Sequence, residues 1–335
     1  MLPILRAYDA EMVELPCGDG SVLIPPSLHG RIFCQLDGEL IHRLDGQALA
    51  APSSTEYNNL GGNSLWPAPE GGDFAFNYVA GSDAWVVQAG ISQAIPSVSK
   101  SDATSARIHK RISLTNRRGV TLDLNYERRV RVAEELPTAG YDLTGFTYHT
   151  DDLFAPLGDY PEGEVLLAPW SLEQFPGADG VLAFGAYTAA SCVLNRDFYG
   201  DPGERIAVRP GQFTFRLGGK DRHQIGIPVA CRPTLIGALD ANRSLLFLRK
   251  TPPCSGLYFN IADNEQAAGP FSAADQYSIF NGGELGFFEL ETVGAMQVEA
   301  GCLAASTLTS ETTILKGEKG ELLRYLREMV GVYLD

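Results

Sequence analysis

Residues 121–126 read TLDLNY, with Leu122, Leu124 and Tyr126 at every second position and Thr121, Asp123 and Asn125 between them. A period of two is the signature of a half-buried β-strand, because successive side chains of a strand point to opposite faces. The same pattern spreads outward from this stretch. RIHKRISL (residues 107–114) puts Ile108, Lys110, Ile112 and Leu114 on one face, and QFTFRL (212–217) alternates Phe213, Phe215 and Leu217 with Thr214 and Arg216. DFAFNY (73–78) aligns Phe74, Phe76 and Tyr78, and the apolar runs at 84–87, 244–248 and 286–290 read as further strands. Turn-forming pairs separate these segments: Asp37-Gly38, Asp45-Gly46, Pro210-Gly211, Gly218-Gly219 and Asn281-Gly282-Gly283. Many antiparallel strands with frequent turns predict an all-β sandwich or barrel, a single domain spanning 1–335. One segment breaks the pattern. In ELLRYLREMV (321–330) Leu322, Leu323, Leu326, Met329 and Val330 form an amphipathic stripe, which predicts one C-terminal helix packed on a sheet. The small polar residues 92–106 read as a long surface loop.

Composition supports a folded chain and narrows its partners. Of 335 residues 44% are hydrophobic, enough to bury a full core. Glycine (36) and proline (20) together exceed the roughly 12% of average usage, in line with many turns. The net charge of −15 repels phosphate backbones and anionic lipid, so neither nucleic acid nor a membrane is expected as a partner. The first twenty residues lack a basic stretch followed by a long apolar one, and no apolar run approaches the ~20 residues of a spanning helix, so a soluble cytoplasmic protein is expected. Six cysteines, at 17, 34, 192, 231, 254 and 302, contain no CxxC pair and read as mostly buried small hydrophobes rather than a disulfide framework. Five histidines, at 29, 42, 109, 149 and 223, show no metal-binding spacing, and no GxGxxG, Walker A or GxSxG sequence occurs. Neither a metal nor a cofactor is expected.

Three stretches carry chemistry. In GGNSLWPAPEGGDF (61–74) prolines hold the chain extended and glycines let it turn, a geometry that can present Trp66 and Glu70 at a rim. An indole face stacks on the C–H face of a sugar and a carboxylate accepts its hydroxyls; the alternative is a corner with Trp66 plugging the core. In GFFELETV (286–293) strand alternation puts Phe287, Glu289 and Glu291 on one side. Two carboxylates on one face of a core-like strand are costly unless they line a wet cleft, and each raises the pKa of the other, which suits a general base. A solvated sheet edge is the competing reading. LGGKDRHQIG (217–226) gathers Lys220, Arg222 and His223 on what reads as a hairpin, either as solvated charges or as cations beside an acidic cleft. Asp151-Asp152, after His149, reads as a solvated loop.

Taken together, VLIPPSLHGRI (22–32), GGNSLWPAPEGGDF, LGGKDRHQIGIP (217–228), GFFELETV and the C-terminal LLRYLREMVGV (322–332) resemble, in this order, the galactose mutarotase-like superfamily. They look closest to a bacterial branch of it with no assigned activity. The resemblance covers most of the chain and implies a β supersandwich with a sugar-sized cleft. In aldose 1-epimerases of this superfamily the glutamate of Leu-Glu-Thr takes the anomeric hydroxyl proton, and that glutamate falls on Glu291. The family's mid-chain histidine acid has no counterpart in LLAPWSLEQF (166–175), which offers Trp170 and Ser171 instead. The early Asn-Arg motif is absent, and STLTSETTIL (306–315) lacks the His-Thr-His-Arg of many members.

The resemblance therefore implies a protein for a small sugar or oligosaccharide, with Glu291 as base and Lys220, His223 or His149 as acid. Trp66, Glu70, Trp170, Arg222 and Glu289 are the expected substrate-binding residues. The alternatives are a carbohydrate-binding protein without catalysis, and a glycosidase- or lyase-like enzyme using Glu70 with Glu291.

Overall fold

A computed structural model describes residues 1–53, 55–133, 138–261 and 266–334. Two large antiparallel sheets dominate it. A ten-stranded sheet contains the long strands Ser105–Thr115, Thr121–Val132, Thr144–Pro156 and Ser306–Lys316. Facing it is a six-stranded sheet, whose strands in spatial order are Asn195–Phe198, His223–Pro228, Asp275–Asn281, Phe287–Val293, Ala168–Pro176 and Asn63–Ala68. A four-stranded sheet built from residues 13–40 adds a third layer. This is an all-β sandwich, as the alternation predicts.

The alternating segments at 107–114, 121–126 and, apart from Leu217, 212–217 lie on strands, and the runs at 244–248 and 286–290 fall within Leu245–Lys250 and Phe287–Val293 apart from Ser244 and Gly286. Two readings need correction. DFAFNY (73–78) and the run at 84–87 are not strands; only Tyr78 and Trp85 form an isolated bridge. Phe74 to Asn77 are all buried, neighbours included, so the alternation there is not a two-faced pattern. Within 92–106 the chain is not all loop, because Ser97–Lys100 pairs with Ser105–Thr115 as the edge of the large sheet.

The C-terminal helix begins at Lys319 and continues as a π-helical turn, Leu326–Val330. It lays Leu322, Tyr325 and Leu326 against Phe184, Leu235, Leu239, Leu246, Leu248 and Leu315 of the ten-stranded sheet. It is not the sole helix: Leu2–Tyr8 covers a separate cluster around Leu23, Phe33 and Leu60, and Gly46–Ala50 and Ala89–Ser92 are single turns. The reading of the cysteines is also corrected. Cys192 and Cys231 form a disulfide between residues 39 apart in sequence, which their spacing could not announce; of the free cysteines only Cys34 is buried. Asp152, expected in a solvated loop, is a buried strand residue.

The two large sheets are joined by a dry polar network. Glu173 projects inward from Ala168–Pro176 and is wholly buried. Its carboxylate accepts from His42 Nε2 at 2.9 Å, from Thr312 Oγ1 at 2.9 Å and from the Tyr148 hydroxyl, and lies 3.1 Å from Arg249 Nη1. Arg249 also donates to the Leu290 carbonyl and to Ser171 Oγ, both at 2.6 Å. Ser171 and Asn63 pass the network to Arg128, which grips Asp152 with two nitrogens at 2.7 and 3.1 Å. Burial alone would raise the Glu173 pKa; Arg249, then His42 and Tyr148, outweigh it and hold the group down at about 2.

Removing one member of such a network leaves its partner charged and dry. Glu173→Gln is expected to cost about 3–5 kcal/mol of stability, read as a lower midpoint in urea unfolding. The depressed pKa also sets an acid limb. A carboxyl whose folded pKa lies below its unfolded value stabilises the fold above the unfolded pKa, near 4.3, and that contribution disappears as pH falls through about 2. Wild-type protein is expected to lose on the order of 3 kcal/mol from this group across that interval, whereas Glu173→Gln shows a shallower acid limb in the same titration.

Candidate functional site

The six-stranded sheet carries the network on its inner face and a cleft on its other face. On Ala168–Pro176, Ser171, Glu173 and Phe175 point inward, which sends Trp170, Leu172 and Gln174 into the cleft. Register does the rest. Leu172 stands opposite Ser64 on one side and Glu291 on the other, Gln174 opposite Glu289, Trp170 opposite Trp66, and Phe280 opposite both Glu289 and Gln224. Five strands therefore deliver one patch of side chains, the floor of a cavity of about 210 Å³. Glu70, Trp85, Tyr199, Arg222 and Leu285 come from outside the strands and form its rim.

Of the residues expected from the sequence, Trp66, Glu70, Trp170, Arg222, Glu289 and Glu291 line this one cavity. Lys220, His223 and His149 do not. LGGKDRHQIG is not a hairpin but a crossover, since Gln212–Arg216 belongs to the ten-stranded sheet and His223–Pro228 to the six-stranded one. Asn281 clamps it, accepting from Gly218 N and donating to the carbonyls of Gly218 and Asp221. Lys220 lies exposed at its tip, its carbonyl taken by Glu284 N. His223 neighbours Gln224, which faces the cleft, so strand alternation turns the imidazole away. His149 lies on Thr144–Pro156, with Nδ1 3.9 Å from Glu311 on the strand beside it.

At the centre of the floor, Glu291 is wholly buried and Glu289 nearly so. They lie within hydrogen-bonding reach of each other. Trp170 Nε1 donates to Glu291 Oε2 at 2.9 Å, and Gln224 Nε2 to the same oxygen at 3.1 Å and to Ser278 Oγ at 2.9 Å. Gln174 Nε2 donates to Glu289 Oε1 at 2.7 Å. Gln174 is itself set from behind: Arg43 Nη1 donates to its Oε1 at 3.1 Å while Arg43 Nη2 pairs with Asp45 at 2.8 Å.

Burial pushes both carboxyls up. Glu289 rises to about 7, with Glu70 adding repulsion that the hydrogen bond from Gln174 partly offsets; Glu291 rises well above the ordinary range, first by burial and then by the Glu289 charge. The half-buried Glu70, beside Trp85, is also raised by desolvation. The pair therefore keeps at least one proton at neutral pH, and it is neither a solvated edge nor an ion pair.

Above the floor Tyr199 stands at a left-handed φ of 52°, uncommon for a non-glycine residue. Its ring lies 5.7 Å from that of Phe280, and the Arg222 guanidinium covers it at 5.0 Å. Sequence reasoning missed Tyr199, Gln224, Gln174, Tyr57 and Trp85. The two glutamines had a signal: each sits at an alternate position of a strand-like stretch, two residues from Trp170's neighbour Leu172 or next to His223. Trp66 does plug the floor, and its Nε1 has no hydrogen-bond partner among the described residues. Among the described residues no group of three histidine, cysteine or acidic side chains is placed to hold a metal ion, and no helix is long and apolar enough to cross a membrane.

Similar folds occur among solved structures. The Slr1438 protein from Synechocystis sp. PCC 6803 is 13% identical with a TM-score of 0.55, over 91% of this chain and 96% of that one. A galactose mutarotase-like protein from Lactobacillus casei ATCC 334 is 11% identical with a TM-score of 0.50, over 92% and 99%. A galactose mutarotase related enzyme from Lactobacillus acidophilus is 8% identical with a TM-score of 0.51, over 92% and 98%. At such identities the likeness is one of fold. No curated protein matches the chain. The sequence itself, over residues 2–335, matches a family of unknown function, DUF6786, and the chain belongs to that family.

Proposed function

We propose that the cleft binds a carbohydrate and that the Glu289–Glu291 pair interconverts the anomers of an aldose. The observation that carries this reading is the pair itself: two buried carboxyls in mutual contact, raised in pKa, on the floor of a tryptophan-lined cleft in a galactose mutarotase-like fold. Opening an aldose ring breaks the bond between C1 and the ring oxygen while the anomeric hydroxyl becomes a carbonyl. A base takes the hydroxyl proton and an acid supplies one to the ring oxygen, with no net change in protons or electrons. Both oxygens sit on one carbon, so the acid and the base must act side by side. A carboxyl pair holding one proton offers both within a single hydrogen-bonded unit. Glu291 is the base, in keeping with the resemblance, when the shared proton rests on Glu289. Glu289 thereby fills the role expected of Lys220 or His223, which lie off the cleft lining. Rotation about the next carbon–carbon bond and reversal of the transfers close the ring as the other anomer. Trp66 and Trp170 give the floor an apolar lining against the sugar, and Glu70 and Arg222 offer polar groups to its hydroxyls.

In polarimetric or NMR exchange measurements over a panel of aldoses, wild-type protein is expected to speed anomer exchange. Glu291→Gln and Glu289→Gln are each expected to slow it by about 10²–10⁴-fold while sugar binding persists. Binding without acceleration in the wild type would instead identify a carbohydrate-binding protein without catalysis. Absence of binding to any saccharide would remove the reading altogether.

The pH profile is a separate check. The productive form carries one proton, and the first proton leaves near pH 7 rather than near the ordinary 4.5. The rate should climb as pH rises through about 7 and fall in the alkaline range, where the pair gives up its second proton. A rate already level from pH 5 to 8 would contradict this assignment.

A further inference from the structure

The carboxyl cleft does not end at its rim. Tyr57 and Trp85 line it, and the same two residues line a second, wider cavity of about 500 Å³. A series of aromatic rings joins the two. Trp170, whose Nε1 holds Glu291, meets Trp66 edge-on at 6.2 Å between ring centres; Trp66 meets Tyr57 at 5.6 Å, and Tyr57 meets Trp85 at 6.1 Å. Trp85 is 48% exposed, although its backbone bridge to Tyr78 and its edge-on contact with Tyr57 hold it in place. A tryptophan that is fixed yet half uncovered is a preformed stacking surface. Beyond it the cavity turns polar, with Glu56, Asn58, Ser92 and Gln93 on its walls. The Glu56 carboxylate and the Gln93 amide have no side-chain partner among the described residues.

The inner cleft is less than half the volume of the outer cavity and, at about 210 Å³, below the usual size of a site for a larger ligand. Building on the carbohydrate reading above, we infer that the ligand is an oligosaccharide. Its reducing-end unit occupies the carboxyl cleft, and the next unit stacks on Trp85 with its hydroxyls toward Glu56 and Gln93. Tyr57 and Trp85 form the shared wall between the two subsites.

Calorimetric titration with glucose and galactose, and with α- and β-1,4-linked di- and trisaccharides of each, tests this directly. The second unit is expected to tighten binding about tenfold in the wild type, the scale of one good ring contact. Trp85→Ala should bring disaccharide affinity down to that of the monosaccharide. Gln93→Ala, an exposed position in the outer cavity alone, should reduce the gain severalfold with monosaccharide affinity unchanged. Equal affinity for one and two units in the wild type, or a gain that survives Trp85→Ala, overturns the subsite while leaving the inner cleft intact. Failure of every saccharide to bind, monosaccharides included, overturns the carbohydrate reading and the subsite with it.

Discussion

The Glu173 carboxylate lies between the two large sheets with a histidine, a tyrosine, a threonine and an arginine around it, and none of the five side chains meets appreciable solvent. An ionised group in that position is tolerated only because every lone pair is taken. It projects from the six-stranded sheet, and its partners come from the layers facing it: Arg249, Thr312 and Tyr148 from the ten-stranded sheet, His42 from the segment after the four-stranded one. Sliding one sheet over the other by a single residue would part these groups, whereas an all-apolar interface could repack. The network thus fixes the spacing and register of the sheets more narrowly than hydrophobic contact could.

That register is transmitted to the cleft by alternation on one strand. With Ser171 and Glu173 committed inward, Trp170, Leu172 and Gln174 have no choice but the opposite face. The two faces of the same sheet then treat carboxyl groups in opposite ways. Inside, Arg249 stands against Glu173 and keeps it ionised; in the cleft, Glu289 and Glu291 are also buried but face amides, an indole and one another, and keep at least one proton between them. Burial is common to both, so the charge of the neighbours decides the protonation state.

The sheets were legible in the sequence wherever one face of a strand is buried and the other wet, as at Leu122, Leu124 and Tyr126. They were not legible at 73–78, where Phe74, Phe76 and the residues between them are all buried by an irregular segment and alternation loses its meaning. Glu289 and Glu291 could be put on one face from their spacing alone. Which sheet Lys220 and His223 would join could not, because the Gly218-Gly219 pair suits a hairpin as well as the crossover the chain actually makes. The rim was the least legible part. Tyr199 and Trp85 reach the cleft from irregular backbone, the first through a left-handed φ, and nothing periodic marks either position.

The glutamine beside each carboxyl of the pair suits a site that keeps a proton. A guanidinium beside Glu289 or Glu291 would favour the charged form, as Arg249 does at Glu173, and would lock the pair without a proton. An amide carries a donor and an acceptor but no charge, so it can hold a carboxyl in either state. Its weakness is that it can flip. Arg43 removes that freedom at Gln174 by occupying Oε1, which leaves Nε2 to face Glu289. At Gln224 the same Nε2 serves both Ser278 Oγ and Glu291. The Arg43 charge is therefore near the floor but spent one bond away, on Asp45 and on the far end of an amide. It orients the floor without ionising it, and a proton stays with the carboxyl pair, as the proposed anomer exchange requires.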